Sequence, residues 1–242
     1  MSNVIVIGGG AAGMMAAYAA ALCGHQVKLM EQNEKLGKKI FITGKGRCNI
    51  TNAGDMDNLF ANVMSNPKFL YSAFYTFNNE QMMSLLEEYG LKMKVERGNR
   101  VFPVSDHSSD VIATLRKALE DKNVEVFLHT KVDHLLVTEE QIKGVELSDG
   151  REVSADAVIV ATGGFSYQTT GATGDGYRFA EKTGHKLVQR TPALVPFEIK
   201  EAWVKELQGL SLRNVSVSIY NGKKKLYEDF GEMLFTHFGV SG

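Results

Sequence analysis

An α/β architecture with a parallel sheet, followed by a β-rich segment, is predicted by three features of the sequence. Fully apolar runs at Val4–Ile7 and Ala157–Ala161 have the texture of parallel strands covered on both faces. A run of good helix formers, Ala11 to Cys23, separates the first of them from another strand-like segment, Gln26–Met30. From Val124 to Val153 the apolar period becomes strand-like.

The elements follow in order. Val4–Ile7 leads into Gly8, Gly10 and Gly13, the helix ends at Gly24 in a C-cap position, and Gln26–Met30 completes a βαβ unit of about 30 residues. Residues 34–54, rich in Gly and Lys, read as a long loop of the kind that is functional or disordered. Helix-type spacing marks Asn66–Phe77, Asn79–Tyr89 and His107–Glu120, the last with Val111, Ile112, Leu115, Ala118 and Leu119 on one face. Arg100 and Phe102–Pro103, between the last two, are candidates for lining a cavity. Strand period runs over Val124–Leu128, Val132–Val137, Ile142–Leu147 and Glu152–Val153, and turns at Glu139–Glu140 and Asp149–Gly150 make a three-stranded antiparallel meander the economical reading. Ala157–Ala161 runs straight into Thr162–Gly163–Gly164, and Tyr177–Thr183 is a short helix stopped by Gly184. Beyond Pro192 the texture is β-rich, with a hairpin signal at Asn221–Gly222 between Val215–Tyr220 and Lys223–Phe230. A boundary is therefore expected between Arg190 and Pro196, giving domains 1–191 and 192–242.

At 44% hydrophobic and 23% charged, the chain has the balance of a globular protein, which excludes disordered, collagen-like and coiled-coil classes. Lys and Arg number 27 against 28 Asp and Glu, and a net charge of −1 offers no field to attract nucleic acid or an anionic membrane. Neither partner is expected. Cys23 and Cys48 are too few for a disulfide scaffold and read as reduced thiols, Cys23 as buried and inert in the first helix. The apolar N-terminus has no preceding Lys or Arg and is broken by four glycines, so it reads as neither signal peptide nor membrane span, and a cytoplasmic location is expected. Six scattered histidines form no metal-ligand spacing, so no metal is expected.

The most specific local string is Gly8-Gly9-Gly10-Ala11-Ala12-Gly13, a GxGxxG that leaves a strand and opens a helix, with Glu31 ending the next strand. Gly8 permits the tight turn, Gly10 lets backbone approach a pyrophosphate, and Gly13 allows close helix–strand packing, while Ala11 and Ala12 begin a helix whose positive end suits phosphate. Glu31, followed by Gln32, can accept hydrogen bonds from adenosine ribose hydroxyls and would repel a 2′-phosphate. FAD or NAD is thus favoured over NADP. A ligand-free glycine turn is the bland reading, and it leaves Glu31 unexplained.

An NAD-type domain would continue with helical crossovers, whereas here a meander precedes Ala161-Thr162-Gly163-Gly164. That combination resembles the Rossmann-like FAD-binding domain of the glutathione-reductase type. The resemblance implies Val132 at the adenine and a second approach to the dinucleotide at Ala161, Thr162, Gly163 and Gly164.

Three further strings narrow the resemblance: GKKIFITGKGRCNITN (37–52), GGFSY (163–167) with TGDGY (173–177), and GEMLFTHFGVSG (231–242). Over essentially the whole chain the sequence is similar to the aminoacetone-oxidase-like (BaiN/YhiN-type) FAD-dependent oxidoreductases. This implies two-electron transfer between FAD and a small-molecule substrate, an FAD domain interrupted by a β-rich insert, and Gly46, Arg47, Cys48 and Asn49 beside the flavin. Relatives linked to amino ketones and to steroid-like enones leave the substrate open, with NAD(P)H a candidate electron donor. Lys35, Lys38, Lys39, Lys45 and Arg47 offer cations to the FAD phosphates, against the rival readings of a solvated loop or a nucleic-acid patch. Cys48 lacks the partner that dithiol chemistry requires. His237 is a weak catalytic candidate, an ordinary hydrogen-bonded histidine being its plainer role. The alternatives are an RNA-modifying flavoprotein and a non-catalytic flavin-binding fragment. Flavoproteins of this fold return to the FAD domain with a strand, a glycine turn and a helix. None follows Arg190, so a C-terminally truncated member is expected, one sheet strand short and needing the missing C-terminal segment for its full FAD site.

Overall fold

Val4 to Ile7 are all buried, and their alternation explains the unbroken apolar run. Val4 and Val6 enter one cluster with Met14 and Ala17, while Ile5 and Ile7 enter another with Val145, Leu147 and Phe179. A sheet covered on both faces has no solvent side to leave polar.

The computed structural model describes residues 1–241. Its elements begin β1 (Asn3–Ile7), α1 (Ala11–Leu22), β2 (Gln26–Met30), α2 (Lys38–Ile42), β3 (Thr51–Asn52), α3 (Met56–Ala61) and α4 (Tyr71–Thr76). They continue with α5 (Asn79–Glu88), β4 (Met93–Glu96), β5 (Arg100–Pro103), α6 (Ser108–Asp121), β6 (Glu125–Phe127), β7 (Val132–Thr138), β8 (Gln141–Leu147) and β9 (Glu152–Ser154). Then come β10 (Ala157–Val160), α7 (Asp175–Lys182), β11 (Phe197–Glu198), β12 (Ser211–Asn221), β13 (Lys224–Phe235) and β14 (Gly239–Ser241).

The parallel sheet has the order β10-β1-β2-β6, with Val4 opposite both Ala157 and Val27. The meander is the separate antiparallel sheet β7-β8-β9. The chain divides into two compact units, Met1–Leu187 and the residues from Val188 onward. In the second, β11-β14-β13-β12 form an antiparallel sheet around the β12–β13 hairpin, where Asn221 pairs with Lys224 and Gly222 takes a positive φ of 58°. Val204 and Phe235 are its buried apolar residues.

Several local expectations are corrected. Residues 34–54 are not one loop: they hold α2, a 3₁₀ turn at Thr43–Gly46 and β3. The Asn66–Phe77 helix breaks into a 3₁₀ turn at Pro67–Leu70 and the short α4. Val124–Leu128, read as a strand without an assigned partner, supplies β6, the strand parallel to β2. Residues 93–103, for which no element is expected, form β4 and β5 of a small sheet ordered β3-β5-β4, and Val101, Phe102 and Pro103 of β5 are buried, with neither they nor Arg100 in the cavity wall. Cys23 is exposed, because α1 ends at Leu22 and the left-handed Gly24 (φ 82°) turns the chain at the surface. The start of α5 is fixed by a capping box: Asn78 Oδ1 accepts from Gln81 N–H at 2.9 Å, and Gln81 Oε1 from Asn78 N–H at 2.8 Å.

Candidate functional site

A cavity of about 720 Å³ lies at the carboxyl ends of β1, β2 and β10, where ligands of open α/β sheets bind. The close approach of two glycine motifs builds its floor. Gly8 leaves β1 with φ 107°, and a Cβ there would lie 2.6 Å from the Ala161 carbonyl oxygen. At Gly13 a Cβ would sit 1.7 Å from the Gly8 carbonyl oxygen, so α1 packs on the turn with no room for a side chain. Gly10 differs, since a Cβ there would meet nothing within 4 Å. Packing within the protein does not require glycine at this position, whereas a close ligand would. Gly10, Ala11 and Ala12 line the cavity, and no side chain caps the helix. The twelve-residue α1 thus presents its N-terminal N–H groups and positive end there.

Glu31 is buried at 7% exposure and lines the same cavity. Its Oε2 accepts from Gly9 N–H at 2.6 Å, and its Oε1 from Asn33 N–H at 2.8 Å and Asn33 Nδ2 at 2.6 Å. A carboxylate offers about four lone-pair sites, so with three occupied one stays open to a ribose hydroxyl, and a second would open if the Asn33 amide were displaced. Gln32 lines the wall and donates to the Gly171 carbonyl at 2.8 Å, tying the end of β2 to the 168–171 turn. Lys39 also lines the cavity, its Nζ 3.9 Å from where a Cβ on Gly163 would stand. Val132, Ala161, Thr162 and Gly163 complete the part of the wall that sequence reasoning named. These donors, cations and open glycine fit the dinucleotide implied by the sequence.

The GRCN string divides. Cys48 and Asn49 line the cavity; Gly46 and Arg47 do not. Arg47 instead pairs with Glu96 and Asp106. Among the other loop cations, Lys38 lines the cavity and contacts Asn33 at 3.2 Å and Glu34 at 3.3 Å, while Lys35 lies 5.0 Å over the Phe41 ring. Gly13, Gly164 and His237 are not among the lining residues, and His237 is exposed in the second unit against Phe238 at 4.8 Å. Sequence reasoning missed Met82 of α5, Val111 and Leu115 of α6, and Asp175, Gly176 and Tyr177 at the start of α7. The TGDGY string was the available signal for the last three; the apolar stripe of α6 reads as core, and it is core and wall at once.

Burial pushes the Cys48 thiol above its ordinary pKa, with a Thr43 hydrogen bond opposing, so it stays a neutral thiol at pH 7. Cys48→Ser should therefore keep FAD binding and turnover within the same order of magnitude as the parent. Steady-state kinetics on the FAD-loaded variant check this, and lost turnover with FAD still bound would assign the thiol a chemical role.

Arg47 and Lys94 hold Glu96 and Asp106 below the usual carboxylate range, the leading cause being the Arg47 bond for Glu96 and the Lys94 bond for Asp106. Depressed folded-state values mean that this stabilisation is complete above the unfolded pKa values of 4.5 and 3.8 and is lost as pH falls through the lower folded ones. In Asp106→Asn the drop in melting temperature between about pH 6 and pH 3 should shrink. An identical drop in parent and variant would show that the pair does not contribute.

Among the described residues, no cluster of three or more His, Cys, Asp or Glu side chains could hold a metal, and no helix is long and apolar enough to cross a membrane. Comparison with solved structures gives the fold. The open conformation of a flavocytochrome c3 fumarate reductase matches 88% of this chain and 47% of its own at TM-score 0.54 and 21% identity. Mycobacterium smegmatis Sdh1 in its apo complex matches 76% and 39% at TM-score 0.54 and 23% identity. By sequence, a 3-dehydro-bile acid delta(4,6)-reductase of Clostridium scindens is 34% identical over all of this chain and 58% of its own length. Ribosomal RNA dihydrouridine synthases of Haemophilus influenzae and Escherichia coli are each 30% identical, over 59% and 58% of their lengths. The chain thus spans somewhat more than half of the curated relatives it matches. The model of the HI0933-like protein Rossmann domain matches residues 2–239, and the chain belongs to that family.

Proposed function

We propose that this chain carries the FAD-binding part of an oxidoreductase that moves a hydride between flavin and a small organic substrate, enone-like or an amino ketone. The observation that carries the reading is the meeting of both glycine motifs and Glu31 in one cavity, with the Gly10 position open to a ligand. FAD, when bound, supplies a ring that accepts or gives a hydride. The chain binds and orients it. The N-terminus of α1 and Lys39 face the pyrophosphate, Glu31 the ribose and Val132 the adenine. Cys48 and Asn49, which line the cavity, would stand at the flavin side, where Met82, Val111 and Leu115 would keep water from the wall. The similarity to a bile acid delta(4,6)-reductase supports an acceptor whose double bond is conjugated with a carbonyl. NAD(P)H is the proposed donor. The length of the relatives beyond the matched region supports a further segment of the full protein completing the FAD site.

A second reading is favoured by the two relatives named for ribosomal RNA dihydrouridine synthesis. The C5–C6 double bond of uracil is also conjugated with a carbonyl, so similar hydride chemistry would serve. The net charge of −1 favours the small substrate. The test is an absorbance spectrum of the purified full-length protein, then anaerobic reduction of its flavin by NADH, NADPH or an amino ketone as the hydride donor, and reoxidation of the reduced flavin by a steroid-like enone or uridine-containing ribosomal RNA as the acceptor. A colourless protein that takes up no FAD would refute the reading. Reoxidation by RNA alone would select the second, and bound FAD without turnover would mark a non-catalytic flavin binder.

A further inference from the structure

The turn that brings Cys48 and Asn49 into the cavity wall has a backbone that its own residues disfavour. Gly44, Lys45, Gly46 and Cys48 all have positive φ, and Lys45 (58°) and Cys48 (61°) carry side chains that rarely adopt it. Such a turn persists where its surroundings over-determine it. Within it, Arg47 N–H donates to Gly44 O at 3.2 Å and Cys48 N–H to Thr43 O at 3.1 Å. Beyond the turn, Ile50 N–H donates to Val101 O at 2.8 Å.

Arg47 supplies the longest reach. Its guanidinium lies 4.1 Å over the ring of the buried Phe102, binds Glu96 through both terminal nitrogens, and donates from Nε to Asp106 at 2.7 Å. Lys94 Nζ closes the group, 2.6 Å from Asp106 and 3.7 Å from Glu96. Two cations face two carboxylates, so the cluster adds no net charge to the cavity.

We propose that Arg47 is a positioning residue of the cofactor cavity: its fork to Glu96 and Asp106 over Phe102 locks the 43–49 turn, setting Cys48 and Asn49 in the wall without touching the ligand itself. The proposal rests on the cavity being the FAD site. A planar, bidentate guanidinium suits this role, whereas a lysine ammonium supplies charge without the fork.

The two thiols report on the turn without any ligand. In the FAD-free full-length protein, Cys23 is exposed and should react quickly with a thiol reagent, while the buried Cys48 reacts slowly. In Arg47→Met the Cys48 rate should rise about tenfold, with Cys23 unchanged, as local opening becomes easier. Arg47→Lys should protect Cys48 only partly. Glu96→Gln with Asp106→Asn should reproduce the Arg47→Met rate, and adding Arg47→Met to that pair should change it little. FAD affinity should fall about tenfold in Arg47→Met, the scale of one charge-assisted group. If Arg47→Met does not fold, Glu96→Gln alone carries the same comparison. Unchanged Cys48 protection overturns the proposal, and paired with weakened FAD binding it would make Arg47 a direct ligand contact. Faster Cys48 labelling with unaltered FAD affinity also overturns it. A parent that takes up no FAD defeats the cofactor reading, and the labelling arm then still judges the lock.

Discussion

Gly13→Ala is expected to destabilise the protein by about 3 kcal/mol, at the upper end of over-packing costs, because the obstacle is backbone rather than a side chain that can rotate away. The added methyl would stand 1.7 Å from the Gly8 carbonyl oxygen. Relief requires α1 to move off β1, and that motion would also empty the cluster shared by Val4, Val6, Met14 and Ala17. Gly10→Ala, three residues earlier, should behave in the opposite way. Its φ of −81° is ordinary, and the space before it is open. Stability should match the parent, while FAD affinity falls by about 1–3 kcal/mol, or roughly 5- to 150-fold, because the methyl occupies space meant for the ligand. Denaturant midpoints and FAD fluorescence titrations separate the two effects. A Gly10→Ala protein that binds FAD as tightly as the parent would place the pyrophosphate elsewhere.

Glu31→Gln is expected to weaken FAD binding by about 1–3 kcal/mol and to cost stability on a similar scale. The geometry explains why one atom has both effects. The carboxylate accepts from Gly9 N–H and from both nitrogens of Asn33. An amide has a single oxygen, so its NH2 must face donors at one of the two places, in a site only 7% exposed. Melting curves with and without FAD distinguish the contributions. A variant with unchanged FAD affinity would show that the adenosine ribose does not contact this side chain.

Sequence made the parallel sheet, the meander and both glycine motifs legible because each is a local pattern: an apolar run, an alternation, a Gly-rich turn in a strand–turn–helix context. It misled where the outcome depended on partners distant in the chain. Val124–Leu128 shows its strand period but not its partner, and β6 pairs with β2 because Lys28, Leu29 and Met30 lie beside it in space. Thr51–Asn52, Met93–Glu96 and Arg100–Pro103 are too short to announce themselves as strands, and their small sheet exists only by mutual pairing. Arg47 was read correctly as a charged residue of the loop, but its carboxylate partners stand 49 and 59 residues away. No spacing rule in the sequence could redirect it from a phosphate to Glu96 and Asp106.

The strand order β10-β1-β2-β6 also has a kinetic consequence. Val4 lies beside Ala157, so the central strand finds one neighbour only after about 150 residues of intervening chain have been brought back. Closing so long a loop comes late in folding, and sheets assembled in this way are among the slower to form. Both glycine motifs meet across that same pairing, which means that the cavity floor does not exist in any partly folded form lacking β10. A ligand bound there would recognise the completed sheet alone and would hold the chain in that state by mass action. Cofactor supply would then influence how much folded protein a cell retains.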